Sequence, residues 1–173
     1  EGVQRVRARL DARIVGGVLD TLRLVLPEGA DRLNVTGPDV REVRTEGAGA
    51  VVHLRGGIAG RTRLAVEFAV PWSGDTISVG RFGIRNGRLD GGALVVSSGL
   101  DGVILSRSES GLEEIGLWDV PQTTSALAPA APSLAWALRG RDWSAELEAV
   151  SVTEFPVQET LVDEAEYTVL LRP

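Results

Sequence analysis

The 173-residue sequence predicts an all-β fold, mainly antiparallel, arranged as a two-layer β-sandwich, with a partly open β-barrel as the alternative. Three observations carry that expectation. Apolar and polar residues alternate with period two along much of the chain. Helical periodicity is almost absent. The 21 Gly and 8 Pro supply the frequent reversals that short strands require. A chain of this length can bury roughly two thirds of its unfolded surface. One domain covering residues 1–173 is therefore expected. The start, Glu1-Gly2-Val3-Gln4, holds neither an initiator Met nor an apolar signal core, so a piece of a longer protein is expected.

The elements follow in order. In VQRVRARLDARIV, residues 3–15, Val6, Ala8, Leu10, Ala12 and Ile14 share one parity, and Arg5, Arg7, Arg9, Asp11 and Arg13 share the other. That is a half-buried strand with its apolar side inward. Gly16-Gly17 permits a turn, and Leu22, Leu24 and Leu26 resume the pattern until Pro27. Residues 20–44, DTLRLVLPEGADRLNVTGPDVREVR, read as successive antiparallel strands separated at Glu28-Gly29 and Gly37-Pro38. Strands are also expected over residues 50–54, 62–70, 76–84, 93–97, 103–106 and 166–171. Asn86-Gly87 is a hairpin-type dipeptide. Residues 134–138 and 143–152 flank Arg139-Gly140-Arg141-Asp142 as an expected hairpin. Ser110 and Glu113 have capping-box spacing, which predicts one helical turn between 110 and 118. PQTTSALAPAAPS, residues 121–133, lacks period two and reads as a long internal loop.

Composition excludes several chemistries. The chain has no Cys, so it forms no disulfide and offers no thiolate nucleophile or thiolate metal ligand. It has no Lys, so a phosphate-binding Gly-Lys-Ser/Thr loop is absent, and GRFGIRNG at 80–87 reads as a turn. The net charge of −6 argues against nucleic acid as a partner. No stretch is long and apolar enough for a membrane helix, so direct membrane insertion of this segment is not expected.

Catalytic patterns are equally sparse. Ser97-Ser98-Gly99 lacks the first Gly of an esterase elbow. His53, the one histidine, lies between Val52 and Leu54 in a strand, where a structural role is expected; with no Cys it cannot make a typical zinc site. The carboxylates Glu113-Glu114, Glu146/Glu148 and Asp163-Glu164-Glu166 could serve glycoside hydrolysis or calcium, but none has EF-hand spacing, and solvated faces are expected. No enzyme, metal or cofactor is therefore expected.

Two groups of side chains remain as candidates. Trp136 and Trp143 share parity with Leu134, Leu138, Ala145 and Leu147 and should pack in the core. Trp72 and Trp118 lie at turns, where an exposed ring can stack on a sugar or anchor a partner. Arg5, Arg7, Arg9 and Arg13 form a basic stripe. The stripe is expected to be balanced within the chain by Glu146 and Glu148 or by Asp163, Glu164 and Glu166, and otherwise to meet an anionic partner.

The succession LRLVLPEGADRLNVTGPDVREVR, AVVHLRG, GRTRLAVEFAVP and PSLAWALRGRDWSAELEAVSVTEFP resembles β-rich segments of large, mostly uncharacterised bacterial envelope proteins. The resemblance implies an extracytoplasmic β-domain, with no functional residues to carry over. The expected role is a non-catalytic structural or interaction domain, partnered by other domains of the same chain or another envelope protein. A carbohydrate- or ligand-binding module is the alternative, and a carboxylate-dependent hydrolase a weaker one.

Overall fold

The computed structural model describes residues 2–99 and 102–151. The fold is all-β, built of antiparallel sheets in a sandwich-like arrangement that does not close into a barrel. Two strands of 24 residues dominate it: β1 (Gly2–Val25) and β4 (Gly49–Trp72). They pair along nearly their whole length, from Gly2 opposite Trp72 to Val25 opposite Gly49. Between them in sequence lie β2 (Asp31–Thr36) and β3 (Val40–Glu46), which run head to tail along the far side of β4.

The expected turn at Gly16-Gly17 is instead an irregularity inside one strand. The ladder shifts register between Ile14 and Leu19, and Gly60, opposite Ile14, has φ +88°. Gly16 has φ +75°. A Cβ resists that left-handed conformation, so glycine lets both strands bend at the same level without ending. For the same reason residues 50–54 and 62–70 belong to one strand, not two. Beyond the bend, period two resumes with unchanged parity. Leu22, Leu24, Val52 and Leu54 from one half of the sheet and Leu64, Val66 and Phe68 from the other join a single buried cluster.

The break between β2 and β3 falls at the expected Gly37-Pro38. Asp39 ties it to β4. Its carboxylate accepts a hydrogen bond from Thr62 Oγ1 at 2.8 Å, and its carbonyl accepts one from the Arg55 amide at 2.8 Å. Thr62 is the one buried polar residue among the described residues, and this bond satisfies its hydroxyl.

The second half uses shorter strands: β5 (Thr76–Val79), β6 (Gly83–Ile84), β7 (Ala93–Val96), β8 (Gly102–Ser110), β9 (Leu112–Glu114), β10 (Leu134–Leu138) and β11 (Ser144–Ser151). They form two three-stranded sheets, β7-β10-β9 and β5-β11-β8, while β6 caps the end of β1 at Leu24 and Val25. The expected hairpin of residues 134–152 is therefore incorrect: β10 and β11 are consecutive but lie in different sheets. Trp136 and Trp143 explain why. Each is buried in the same core, Trp136 from within β10 and Trp143 from the residue just before β11, together with Ile77, Val79 and Leu147. The chain between them must cross from one layer to the other.

Three smaller expectations are also corrected. Ser110 ends strand β8, so it caps no helix, and the helical turn lies later as a 3-10 turn at Leu117–Asp119. Asn86-Gly87 does form a turn, with Asn86 at φ +63°, but β6 before it pairs with β1, so no hairpin results. The loop 121–133 contains one helical turn, α1 (Gln122–Ser125). The strand expected at 166–171 lies outside the described residues.

Phe82 joins the two cores. Its ring meets Phe68 edge-on at 5.5 Å and Trp143 edge-on at 6.0 Å, which links the cluster under β4 to the tryptophan cluster.

Candidate functional site: the open edge of β1

The amino-terminal half of β1 shows the alternation that the sequence predicts. Odd residues from Val3 to Arg13 are exposed and even residues from Gly2 to Ile14 are half-buried. On one side β4 occupies the strand's hydrogen-bonding edge. On the other, β6 reaches only Leu24 and Val25. From Gly2 to Leu22 the outer edge of β1 thus has no partner strand among the described residues, the Arg23 carbonyl already accepting the Arg85 amide at 2.7 Å. Every second backbone amide and carbonyl there points away from β4 and is available to an incoming strand.

An open groove of about 1360 Å³ runs along this edge. Val6, Ala8, Leu10 and Ile14 line it from β1. Phe82, Leu94 and Val96 line it from the second half, with Leu127 from the loop after α1. The apolar stripe is partly uncovered because β1 is an edge strand. The register partners on β4 are not: Leu64 and Val66 are wholly inaccessible, whereas Leu10 and Ala8 opposite them remain half-exposed.

The other face of the same ladder is basic. Arg5, Arg7, Arg9 and Arg13 on β1 are joined by Arg61 and Arg63 on β4, against Asp11 and Glu67. Arg7 pairs with Glu67 at 3.4 Å, Arg63 with Asp11 at 2.7 Å, and Arg9 with Asp11 at 4.0 Å. Arg5 lies opposite Ala69, and Arg13 lies opposite Arg61; none of these three arginines has an ion pair among the described residues. Part of the stripe is therefore balanced inside the sheet and part is not. The balance does not come from Glu146 and Glu148, as the sequence suggested. Ser108 donates to Glu146 at 3.1 Å and Arg107 pairs with Glu148, both in the β8–β11 ladder. Asp163, Glu164 and Glu166 lie outside the described residues.

The tryptophans separate. Trp72 closes β4 and is half-buried against the second core. Its indole lies over Gly2, where a methyl group would meet Nε1 at 2.6 Å, and it lines one end of the groove. Trp118 is 100% exposed in its 3-10 turn and does not line the groove.

Register reveals one row that sequence spacing could not show. Thr21, His53 and Glu42 stand side by side across β1, β4 and β3. No hydrogen bond joins His53 to either neighbour, and Glu42 is held by Arg44 through bonds of 2.8 and 3.2 Å. Glu113 is likewise engaged by Arg139. Among the described residues no group of three His, Asp or Glu side chains is placed to hold a metal ion.

Comparison with protein-family models, with curated proteins and with solved structures finds no match for this chain.

Proposed function

We propose that the chain is a non-catalytic structural or protein-interaction domain of a secreted or cell-envelope protein, and that it engages partners by accepting a strand along β1. The open edge of β1 carries this reading. It combines backbone hydrogen-bonding groups with no partner among the described residues, an apolar stripe only half-covered, and arginines, Arg5 and Arg13, that form no ion pair among the described residues. Strand addition uses each of these: the ladder supplies affinity, and alternate side chains supply specificity. The placement in a secreted or envelope protein is supported by the resemblance of the sequence. No helix among the described residues is long and apolar enough to cross a membrane.

A second reading, sugar or small-ligand binding, is favoured by one observation, the full exposure of Trp118. One pair of titrations separates the two. An acetylated peptide of alternating valine and glutamate should bind saturably and weaken as salt rises. Reversing Arg5 and Arg13 (R5E/R13E) should weaken it by about tenfold. A glycan panel should leave Trp118 fluorescence unchanged. Absence of peptide binding, or binding indifferent to R5E/R13E, overturns the strand-acceptor reading. A glycan-dependent signal lost in Trp118→Ala puts the sugar-binding reading in its place.

A further inference from the structure

The identity of the incoming strand can be narrowed, on the assumption that β1 accepts one. We infer that the strand is the chain's own carboxyl-terminal segment, residues 164–171, seated in cis.

Four observations converge. First, proximity: Leu147 of β11 and Ile104 of β8 line the same groove as β1. Only four residues after Leu147 the last described strand ends, at Ser151. The twelve residues 152–163 span up to ~40 Å when extended, which is ample to reach β1. Second, pattern: Ala165, Tyr167, Val169 and Leu171 share one parity, and Glu164, Glu166, Thr168 and Leu170 the other. A strand that turns the first set onto Val6, Ala8, Leu10 and Ile14 turns the second onto the arginine face, because neighbouring strands share their pleat. Third, charge: Glu164 and Glu166 bring two carboxylates and no cation to a face where Arg5, Arg13 and Arg61 form no ion pair among the described residues. Fourth, length: eight residues cover roughly 26 Å of ladder, well within the 24-residue β1.

The consequence is a self-completing edge. A tethered segment competes at an effective concentration that reaches the millimolar range for short flexible links, so an external strand must displace it. Weakening the cis segment should therefore tighten binding in trans. That prediction is distinct from the strand-acceptor reading itself, which requires only that the edge be open to some strand.

The test uses the full chain at a concentration where sedimentation shows a monomer. Amide exchange is followed by NMR residue by residue along 3–13. Two sets of amides are compared: those bonded to β4 and those pointing away from it. Seating of the segment predicts that both are protected. In Glu164→Arg/Glu166→Arg the outer set should lose at least about tenfold in protection while the inner set keeps its own. The inner set thereby reports that the variant is folded. Tyr167, the one tyrosine of the chain, should give ring contacts to Val6 or Leu10 in the native sequence and lose them in the variant. The alternating acidic peptide should bind the variant about tenfold more tightly than the native chain.

Other outcomes overturn the inference in distinguishable ways. An outer set unprotected in the native chain, but protected on adding the peptide, leaves β1 a strand acceptor and removes the cis segment as its occupant. An outer set unprotected in both conditions removes both proposals. Protection that appears only when the chain self-associates assigns the edge to a second copy.

Discussion

β1 and β4 have the same length, the same parity and one shared ladder, yet they differ in fate. β4 is flanked on both sides, by β1 and by β2 with β3, and its apolar residues are sealed: Val52, Leu64 and Val66 are inaccessible to solvent. β1 is flanked on one side over most of its length, and its equivalent residues from Val6 to Ile14 stay half-exposed. Period two states which side chains face the core. It does not state whether the strand is central or at an edge, and the edge decides how much of that face is covered. The chain's candidate function lies in that difference.

The largest expected effect tests the difference directly, on Leu64 and Leu10, which are register partners of the same type. Leu64→Ala should cost about 3–4 kcal/mol, within the range for a sealed leucine. Leu10→Ala should cost about 2 kcal/mol in the native chain, and about 1 kcal/mol once Glu164→Arg/Glu166→Arg has freed the edge, because less apolar surface is then lost from burial. The cost at Leu64 should be the same in both backgrounds. Denaturant unfolding with unchanged m-values provides the measurement. Equal costs at Leu10 in the two backgrounds would show that nothing acidic from the carboxyl terminus covers β1.

The same contrast explains what the sequence made legible. In the first 72 residues alternation is long and regular, so strand positions, inward faces and the Gly37-Pro38 break could be read. The two glycine bends could not, because Gly16-Gly17 is equally compatible with a turn. Only the left-handed φ values at Gly16 and Gly60, set opposite each other's strand, show that the ladder continues. In the second half the strands are short and their partners distant: β11 pairs with β5 and β8, and β10 with β7 and β9. Burial of Trp136 and Trp143 followed from parity, but their pairing did not, since adjacency in sequence favours a hairpin and packing of two large indoles from two layers opposes it. The arginine stripe was legible as a face. Its partial neutralisation by Glu67 and Asp11, and the abutment of Arg13 on Arg61, depend on register, which composition cannot reveal.

A smaller effect is expected from that abutment. Like charges directly opposite in an antiparallel pair are destabilising, and an opposite pair contributes roughly 0.2–1 kcal/mol. Arg61→Glu converts the Arg13–Arg61 contact into a cross-strand pair on the exposed face of β1 and β4. The variant should gain a few tenths of a kcal/mol at low ionic strength. The gain should vanish near 1 M salt, where the screening length falls to about 3 Å. Thermal unfolding at two salt concentrations resolves the change; a gain that persists at high salt would mean that Arg61 was unfavourable for a reason other than its charge.

The smallest effect concerns the opposite edge of the same sheet, where β3 lies. β3 is also unpaired on its outer side among the described residues, but it is short and carries Arg41, Glu42, Arg44 and Glu46. Short edge strands bearing charge resist pairing with other chains. Here three of the four charges are paired: Arg44 donates to both Glu42 oxygens, at 2.8 and 3.2 Å, and Arg23 of β1 pairs with Glu46 at 3.2 Å. The hydrogen bonds from Arg44 hold the Glu42 carboxyl below its ordinary range, against slight desolvation and with help from the charges of Arg44, His53 and Arg41. A carboxyl depressed in the folded state stabilises the fold above its unfolded pKa, and that contribution fades as pH falls through the folded pKa. The dependence therefore sits on the acid limb, below the ordinary glutamate range, and is absent at neutral pH. Both groups are exposed, so solvent screens the interaction and the direct observable is the Glu42 titration by NMR, not a melting temperature. Arg44→Leu should return the Glu42 midpoint to the ordinary glutamate value. An unchanged midpoint would show that Arg44 does not hold Glu42 in solution, and that β3, like β1, keeps unsatisfied charge along its edge. In that case the outer amides of β3 should also become protected when the acidic peptide is added, whereas a satisfied β3 leaves the peptide to β1 alone.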